Sequence, residues 1–447
     1  MIRVLLTVLC LLVTVPAFSQ QQPDPEALKA KEFFGTAGIP GDKWIEGETM
    51  FPHVSPASHF KAAMLYYPGV EELKDDEMRI TFMGSTYYPN RSQSGMSIFM
   101  ELGNGDNFVF DLGIGSLRNY NSFSIPFNTI NHVFFSHLHM DHVSDLPYFL
   151  MFRPIQGGYT PLNIYGPSGA SKEYGISHLV ENMLKMTAWH RDSFNSWPIG
   201  KGYDPVVHEF DFMKEGGIAY EKNGVKITHW PTSHTKDGAT SYRLDWNGRS
   251  VCYTGDNRPN LLTIKYCKGV DMLISEVQNA AISLSSQALG MPAALAAYTI
   301  DTSHTPAYGL GYICQKAQPK VCVGTHYSYD DVFNNETVAQ VRQFYKGAFA
   351  FGAPDLVTFN IHSDGKVWWR EGVAPESSQT PRPKFTGKTI TFPAPRHQVY
   401  DVINDKVKAN EIDPDLWYPK GHKPDLVREW PLTKDIEIPN PFATQEE

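Results

Sequence analysis

The chain has 447 residues, 42% of them hydrophobic, 13% aromatic and 19% charged. That balance excludes a fibrous or disordered protein, and the length allows one large domain or two ordinary ones. A formal net charge of −9 repels phosphate backbones, so extended nucleic acid is not expected as a partner.

The N-terminus, MIRVLLTVLCLLVTVPAFSQ, has one early Arg and an apolar stretch from Val4 to Val15. It reads as a secretory signal over residues 1–19, cleaved after Ser19, with an uncleaved anchor as the alternative. The apolar run is too short for a transmembrane helix, and no later stretch reads as a membrane span. A secreted or periplasmic protein is expected. Residues 20–76 are rich in Pro, Gly and aromatics without periodicity, and read as an N-terminal extension wrapped on the main domain.

Regular structure begins at RITFMGS (79–85). Two alternating runs within MSIFMELGNGDNFVFDLG (96–113) flank a turn at Asn104–Asn107 and predict a hairpin. NHVFFSH (131–137) predicts a strand, and VSDLPYFLMF (143–152) has helical apolar spacing. LNIYGPSG (162–169) reads as a strand ending in a turn, and residues 172–194 as one long amphipathic helix. Strands recur at 224–234 and in the hairpin 242–256, where Asn247-Gly248 calls for a type I′ turn. VDMLISE (270–276) and KVCVGTHYS (320–328) are apolar strands of the kind buried on both faces. An Ala- and Leu-rich helical stretch, 289–316, separates them. This alternation gives an α/β layered domain over residues 77–370. Residues 371–447 read as a C-terminal extension packed on it.

Beyond Cys10, inside the signal, four cysteines remain: Cys252, Cys267, Cys314 and Cys322. Three pairings are open to them in an oxidising compartment, but their apolar neighbours suit core thiols equally well. None has the CxxC spacing of a zinc site.

The chemistry concentrates in FFSHLHMDH (134–142). Strand periodicity would put His137 and His139 on one side, with Asp141 and His142 falling where the strand gives way to helix. Imidazoles and a carboxylate in that spacing form a ligand set that zinc accepts. The pattern H-x-H-x-D-H resembles the second motif of the metallo-β-lactamase superfamily. PTSHT (His234), YTGD (Asp256) and GTHYS (His326) resemble the later motifs in the same order, so the likeness spans residues 79–365.

The resemblance implies a four-layer αββα sandwich and a dinuclear centre with two Zn2+, Mn2+ or Fe2+ being alternatives. By that likeness His137, His139 and His234 hold one ion, Asp141, His142 and His326 the other, and Asp256 bridges them. A hydroxide shared by two dications is a nucleophile at neutral pH, and Asp141 also orients it. Glu276 in LISEVQNA and His304 in DTSHTPA resemble the ribonuclease Z and arylsulfatase-like branch. His304 would then protonate the leaving group, supported by Glu276.

The chain departs from ribonuclease Z in its signal, its acidity, the lack of a Gly-Lys-Arg-rich arm, and Gly84-Ser85-Thr86 in place of G-T-G. A small-molecule ester of phosphate or sulfate is therefore expected as substrate, with no nucleic acid partner and with a homodimer compatible with the sequence. A lactone or β-lactam hydrolase, an iron-dependent redox member and a non-catalytic metal-binding scaffold are the alternatives. The remaining histidines read as packing or surface residues, as do Tyr87-Tyr88 and Trp368-Trp369, for which framing a pocket is the second reading.

Overall fold

The structure is a computed structural model that describes residues 60–66, 73–194, 199–279, 290, 292–372, 389–392 and 436–439. The expected signal at 1–19 and most of the two expected extensions lie outside the described residues. Among the described residues, no helix is long and apolar enough to cross a membrane.

Two large sheets carry the fold. The first contains β1 (Phe60–Tyr66), β2 (Met78–Gly84), β3 (Ser97–Leu102), β4 (Asn107–Phe110), β5 (His132–Phe134), β6 (Asn163–Pro167) and β7 (Val206–Phe210). The second contains β8 (Gly217–Lys222), β9 (Val225–Pro231), β10 (Thr240–Trp246), β11 (Arg249–Tyr253), β12 (Met272–Glu276), β13 (Val321–Thr325) and β14 (Ala348–Phe351). The chain then returns to the first sheet through β15 (Val357–Ile361) and β16 (Val367–Gly372). The spatial orders are β1-β16-β15-β2-β3-β4-β5-β6-β7 and β14-β13-β12-β11-β10-β9-β8. Separately, β17 (Thr389–Phe392) pairs antiparallel with β18 (Ile436–Pro439).

Side-chain alternation along each strand distributes residues between three apolar layers. In β12, Met272 and Ile274 enter the layer between the sheets, while Leu273 faces the other way. In β5, Phe134 points between the sheets and Val133 outward. The central layer also holds Ile80, Phe82, Phe110, Tyr242, Tyr253 and Val323. On the outer face of the first sheet, Val109, Val133 and Ile164 pack against Phe149, Leu150 and Val180 from helices. On the outer face of the second, Leu273 and Cys322 pack against Leu310, Ile313 and Val341. The result is a four-layer αββα sandwich. Because β12 and β13 are covered on both faces, every one of their residues is buried, which explains their continuous apolar sequence.

Strands β4 through β7 run parallel, as do β11 through β14. Open α/β sheets collect ligands beyond the carboxyl ends of parallel strands. Four of these strands, β5, β11, β12 and β13, end at or within three residues of the candidate site residues His137, Asp256, Glu276 and His326.

Several local expectations change. The stretch 289–316 is two helices, Ala293–Ser303 and Ala307–Ala317. Between them His304 is extended, and the next residue, Thr305, is disfavoured in the α region because it precedes Pro306. The stretch 172–194 is likewise divided, into a 3-10 turn at Lys172–Tyr174 and helices Ile176–Met186 and Ala188–Ser193. The strand at 131–137 ends at Phe134. His137 therefore lies in a loop, and His139 caps the one-turn helix Met140–Val143. Loop geometry, not strand periodicity, aligns them. The turn at Asn247 (φ 47°) and Gly248 (φ 74°) is left-handed at both residues, as a type I′ hairpin requires. The cysteines pair as Cys252–Cys267 and Cys314–Cys322.

Candidate metal centre

All seven residues singled out as ligands converge at one end of the sandwich. His137, His139, His234 and Asp256 form one group, and Asp141, His142, Asp256 and His326 a second. Within each, the donor atoms lie within 4.8 Å of one another. Asp256 belongs to both.

In the first group, His139 Nδ1 lies 3.0 Å from His137 Nε2 and 3.1 Å from His234 Nε2. Zn–N bonds of about 2.0–2.1 Å in a tetrahedron place neighbouring nitrogens about 3.3 Å apart, so the spacing suits a single cation. Asp256 Oδ2 is 3.9 Å from His137 Nε2 and 3.7 Å from His234 Nε2. In the second group, His326 Nε2 is 3.0 Å from Asp141 Oδ2 and 3.3 Å from Asp256 Oδ2. His142 Nε2 is 3.4 Å from Asp141 Oδ2 and 3.3 Å from Asp256 Oδ1. Both His142 Nε2 and Asp256 Oδ1 are buried without a hydrogen-bond partner. Buried orphans of this kind are costly unless something satisfies them. Imidazole nitrogens mixed with carboxylate oxygens form a donor set that suits first-row dications. The residues fit metal.

The outer atoms of these imidazoles are tied down. His234 Nδ1 donates to the Ser303 carbonyl at 2.7 Å, which leaves its Nε2 as the free lone pair. His142 Nδ1 donates to Asp111 Oδ2 at 2.8 Å. Asp111 Oδ2 also accepts from Ser136 Oγ (2.8 Å) and Tyr253 Oη (2.6 Å), while Oδ1 accepts from the Ser136 amide (2.8 Å). Since the Ser136 hydroxyl donates to Asp111, it is left to accept from His137 Nδ1 at 3.1 Å. One fully buried carboxylate thus fixes the tautomers of His137 and His142. Sequence reasoning did not single out Asp111. Its signal was a charged residue ending the apolar run FVFDLG.

Backbone geometry completes the arrangement. Gly255 has φ 57°, and a Cβ there would meet the Ser136 side chain at 2.5 Å. That close approach lets Asp256 reach the loop after β5. A Cβ on Gly113 would lie 1.8 Å from the Asp141 carbonyl. His326 is left-handed at φ 63°, a conformation non-glycine residues adopt mainly where surroundings hold them. Here its amide donates to the Ser85 carbonyl at 2.9 Å. Ser85 Oγ in turn donates to the half-buried Asp355 at 2.8 Å.

Glu276 and His304 lie beside the centre. His304 Nδ1 is 2.6 Å from Glu276 Oε2, and the Asn257 amide donates to Glu276 Oε1 at 2.5 Å. Both carboxylate oxygens are therefore engaged, so Glu276 reads as a support for His304. Its oxygen is 3.7 Å from His326 Nδ1. Burial alone would lower His304, but the Glu276 carboxylate and, further off, Asp256 raise it to about 9. Burial, followed by the Asp256 charge, raises Glu276, with His304 opposing. Burial pushes His137 well below the usual histidine range and His234 down to about 4. Burial also disfavours charge on His142, yet the Asp256, Asp141 and Asp111 carboxylates outweigh it and raise that group. Asp256 is held well below the carboxylate range by His326, His142 and His137 against the opposing effect of burial.

Tyr87 lines the site with its ring 5.5 Å from that of His326, so the pocket-framing reading holds for it. Tyr88 points to solvent. Trp369 packs on the core and Trp368 lies against His362 with their rings tilted, centroids 4.2 Å apart. His132 and His229 are packing residues, in ring contact with Phe108 and Phe210 respectively. Of the other histidines set aside, His178 lines a cavity described below.

Comparison with known proteins adds to this geometry. The family described as Anti-Pycsar protein Apyc1 matches residues 78–285. Ribonuclease Z of Methanothermobacter thermautotrophicus is 26% identical over 247 residues, covering 44% of this chain and 74% of the relative. Ribonuclease Z of Picrophilus torridus is 24% identical over 318 residues, covering 63% of this chain and 96% of the relative. Among solved structures, the metallo-β-lactamase fold protein YhfI from Bacillus subtilis superposes with a TM-score of 0.48 at 18% identity, over 64% of this chain and all of that one. The chain is similar to the ribonuclease Z-like branch of the metallo-β-lactamase superfamily, which these curated relatives support. It is a hydrolase.

One expectation is overturned. A small-molecule ester with no nucleic acid partner does not agree with relatives that are ribonucleases by name. Net charge misled because it averages the whole surface, whereas a phosphodiester meets the local field of the centre.

Proposed function

We propose that this protein is an exported, metal-dependent phosphodiesterase whose substrate is RNA, with catalysis residing in residues 77–370. The observation that carries the reading is the paired donor set around Asp256, in which His142 Nε2 and Asp256 Oδ1 are buried and close together yet make no hydrogen bond, in a chain whose curated relatives are named ribonuclease Z.

In this reading His137, His139 and His234 hold one Zn2+, and Asp141, His142 and His326 a second, with Asp256 facing both. Bound dications would polarise a phosphoryl oxygen and lower the pKa of water. The chain's own residues supply the rest. Asp111 and the Ser303 carbonyl accept from Nδ1 of His142 and His234, so Nε2 is the nitrogen each would present to an ion. Asp141 borders the reaction cavity with one oxygen directed at His326, where it can also orient an attacking water. His304, held by Glu276 through Nδ1, faces the same cavity and carries a proton for the departing oxygen. The two disulfides and the N-terminal apolar run support placement outside a reducing compartment.

The test is elemental analysis of the purified full chain, followed by incubation of zinc- and manganese-loaded protein with single-stranded and tRNA-like RNA. The reading expects about two metals per chain and RNA cleavage that Asp256→Asn abolishes. Metal-loaded protein that leaves every RNA intact would overturn it.

A further inference from the structure

The candidate centre stands between two cavities that share His139. The smaller, about 240 Å³, is bordered by Tyr87, Asp141, Asp256, His304 and His326. The larger, about 780 Å³, opens from His137, His139 and His234 towards the helix Ile176–Met186. The reaction described above uses the small cavity and leaves the large one without a role.

The large cavity has a distinctive lining. Its walls are Leu138, Met140, Leu179, Met183 and Met186, closed on one side by Tyr174. Lys236 lies over the Tyr174 ring, 4.0 Å from its centroid. The charged residues Glu173 and Asp237 outnumber Lys236, so a phosphate has no reason to enter. Hydrogen-bonding groups come from Asn182, Ser144 and Thr235. Apolar walls with a few polar groups describe a site for a flat, aromatic, polar-edged ligand, and the volume falls within the range of about 300–1,000 Å³ typical of such sites. Thioethers add favourable contacts to aromatic rings.

We infer that the large cavity binds an unpaired nucleobase of the nucleotide next to the scissile phosphodiester. This inference rests on the proposal that the substrate is RNA. A phosphodiester at the centre carries two substituents, and His139, which borders both cavities, leaves one of them room to enter the large one beside His137 and His234. Its base reaches the walls when splayed out of a stack, which is how single-stranded RNA is commonly recognised. A base still paired keeps its polar edge covered by its partner and does not fit. The specificity consequence is cleavage in single-stranded or terminal regions, set by Leu179, Met183, Tyr174 and Asn182.

The experiment uses the metal-loaded full chain and an RNA oligonucleotide whose cleavage position has been mapped. Abasic residues are then placed on either side of that position in turn. The expected result is a loss of tenfold or more in kcat/KM for the abasic residue on one side and little change on the other. Pairing the same nucleotide with a complementary strand should give a comparable loss. Leu179→Trp, which narrows the cavity, should slow cleavage of intact RNA while metal content stays that of the parent. Equal rates on intact RNA and on both abasic RNAs overturn the inference and leave the RNA reading standing. No cleavage of any RNA, with turnover of a model aryl phosphodiester retained, overturns both.

Discussion

Asp111 is the most informative residue to perturb, because it touches no candidate metal position and yet governs two histidines. Its Oδ2 accepts from Ser136 Oγ, His142 Nδ1 and Tyr253 Oη, and its Oδ1 from the Ser136 amide. Asp111→Asn keeps the shape but exchanges one acceptor for a donor. If the amide nitrogen takes the Oδ1 position, it opposes the Ser136 N–H, and one buried donor is left unsatisfied at a cost of about 1–3 kcal/mol. If it takes the Oδ2 position, both hydroxyls can turn to accept, but His142 must move its proton to Nε2, the atom that faces the candidate centre. Ser136 Oγ then no longer needs to accept from His137 Nδ1, so the second tautomer is also released. Losing support of this kind weakens metal affinity by about 10–100-fold, or roughly 1.4–2.7 kcal/mol. The assay is a competitive zinc titration against a chromophoric chelator on apo protein, with circular dichroism and thermal melting to confirm folding. Asp111→Asn that folds, melts as the parent does and binds zinc with parental affinity would refute the tautomer argument.

Other expectations concern different layers. His304→Asn and Glu276→Gln should each lower kcat by about 10²–10⁴-fold, the usual worth of a positioned acid, while bound metal measured by elemental analysis stays unchanged. Loss of metal in either variant would move these residues into the ligand set. His229, 1% exposed in β9, is pushed by burial down to about 4. The unfolded chain takes up that proton near the ordinary value of about 6.5, so between about 6.5 and 4 the unfolded state binds more protons. Stability is then lost as pH falls through that window, by about 3 kcal/mol at most. Urea midpoints measured from pH 7 to 4 should show this slope, and His229→Phe should flatten it. Chelation with excess EDTA should lower the melting temperature, because an ion that binds only the folded state stabilises it by mass action. An unchanged melt after verified metal removal would contradict the fit of the orphaned His142 and Asp256 atoms to a cation.

The candidate ligands were legible because they sit in short runs directly after apolar strands. FFSHLHMDH, YTGD and GTHYS each mark a strand end, and parallel strands bring such ends together. The layered architecture was legible for the same reason, in the continuous apolar runs of β12 and β13. What the sequence hid was mostly non-local. Asp111 is 31 positions from His142, and nothing in FVFDLG says which imidazole it holds. The wall of the large cavity comes from segments 138–147, 173–186 and 234–239, which only the fold juxtaposes. The break at His304 was readable in Thr305-Pro306 but was masked by strong helical composition on both sides. The partner expectation failed differently: a summed charge has no spatial information.

The two disulfides cross-link the second sheet to its helices behind the centre. Cys252–Cys267 ties β11, which leads into the turn carrying Asp256, to the residue that follows the helix Leu261–Tyr266. Cys314–Cys322 ties the helix Ala307–Ala317 to β13, which delivers His326. Closing spans of 15 and 8 residues stabilises by about 3 and about 2.5 kcal/mol in the chain-entropy account. Two of the seven candidate ligands are thus anchored through disulfides whose four cysteines are fully buried, so a thiol reaches them only when the surrounding structure opens. Reduction of either bond must follow local opening, so the rate at which a reductant dismantles the centre would report how often these helices part from their sheet.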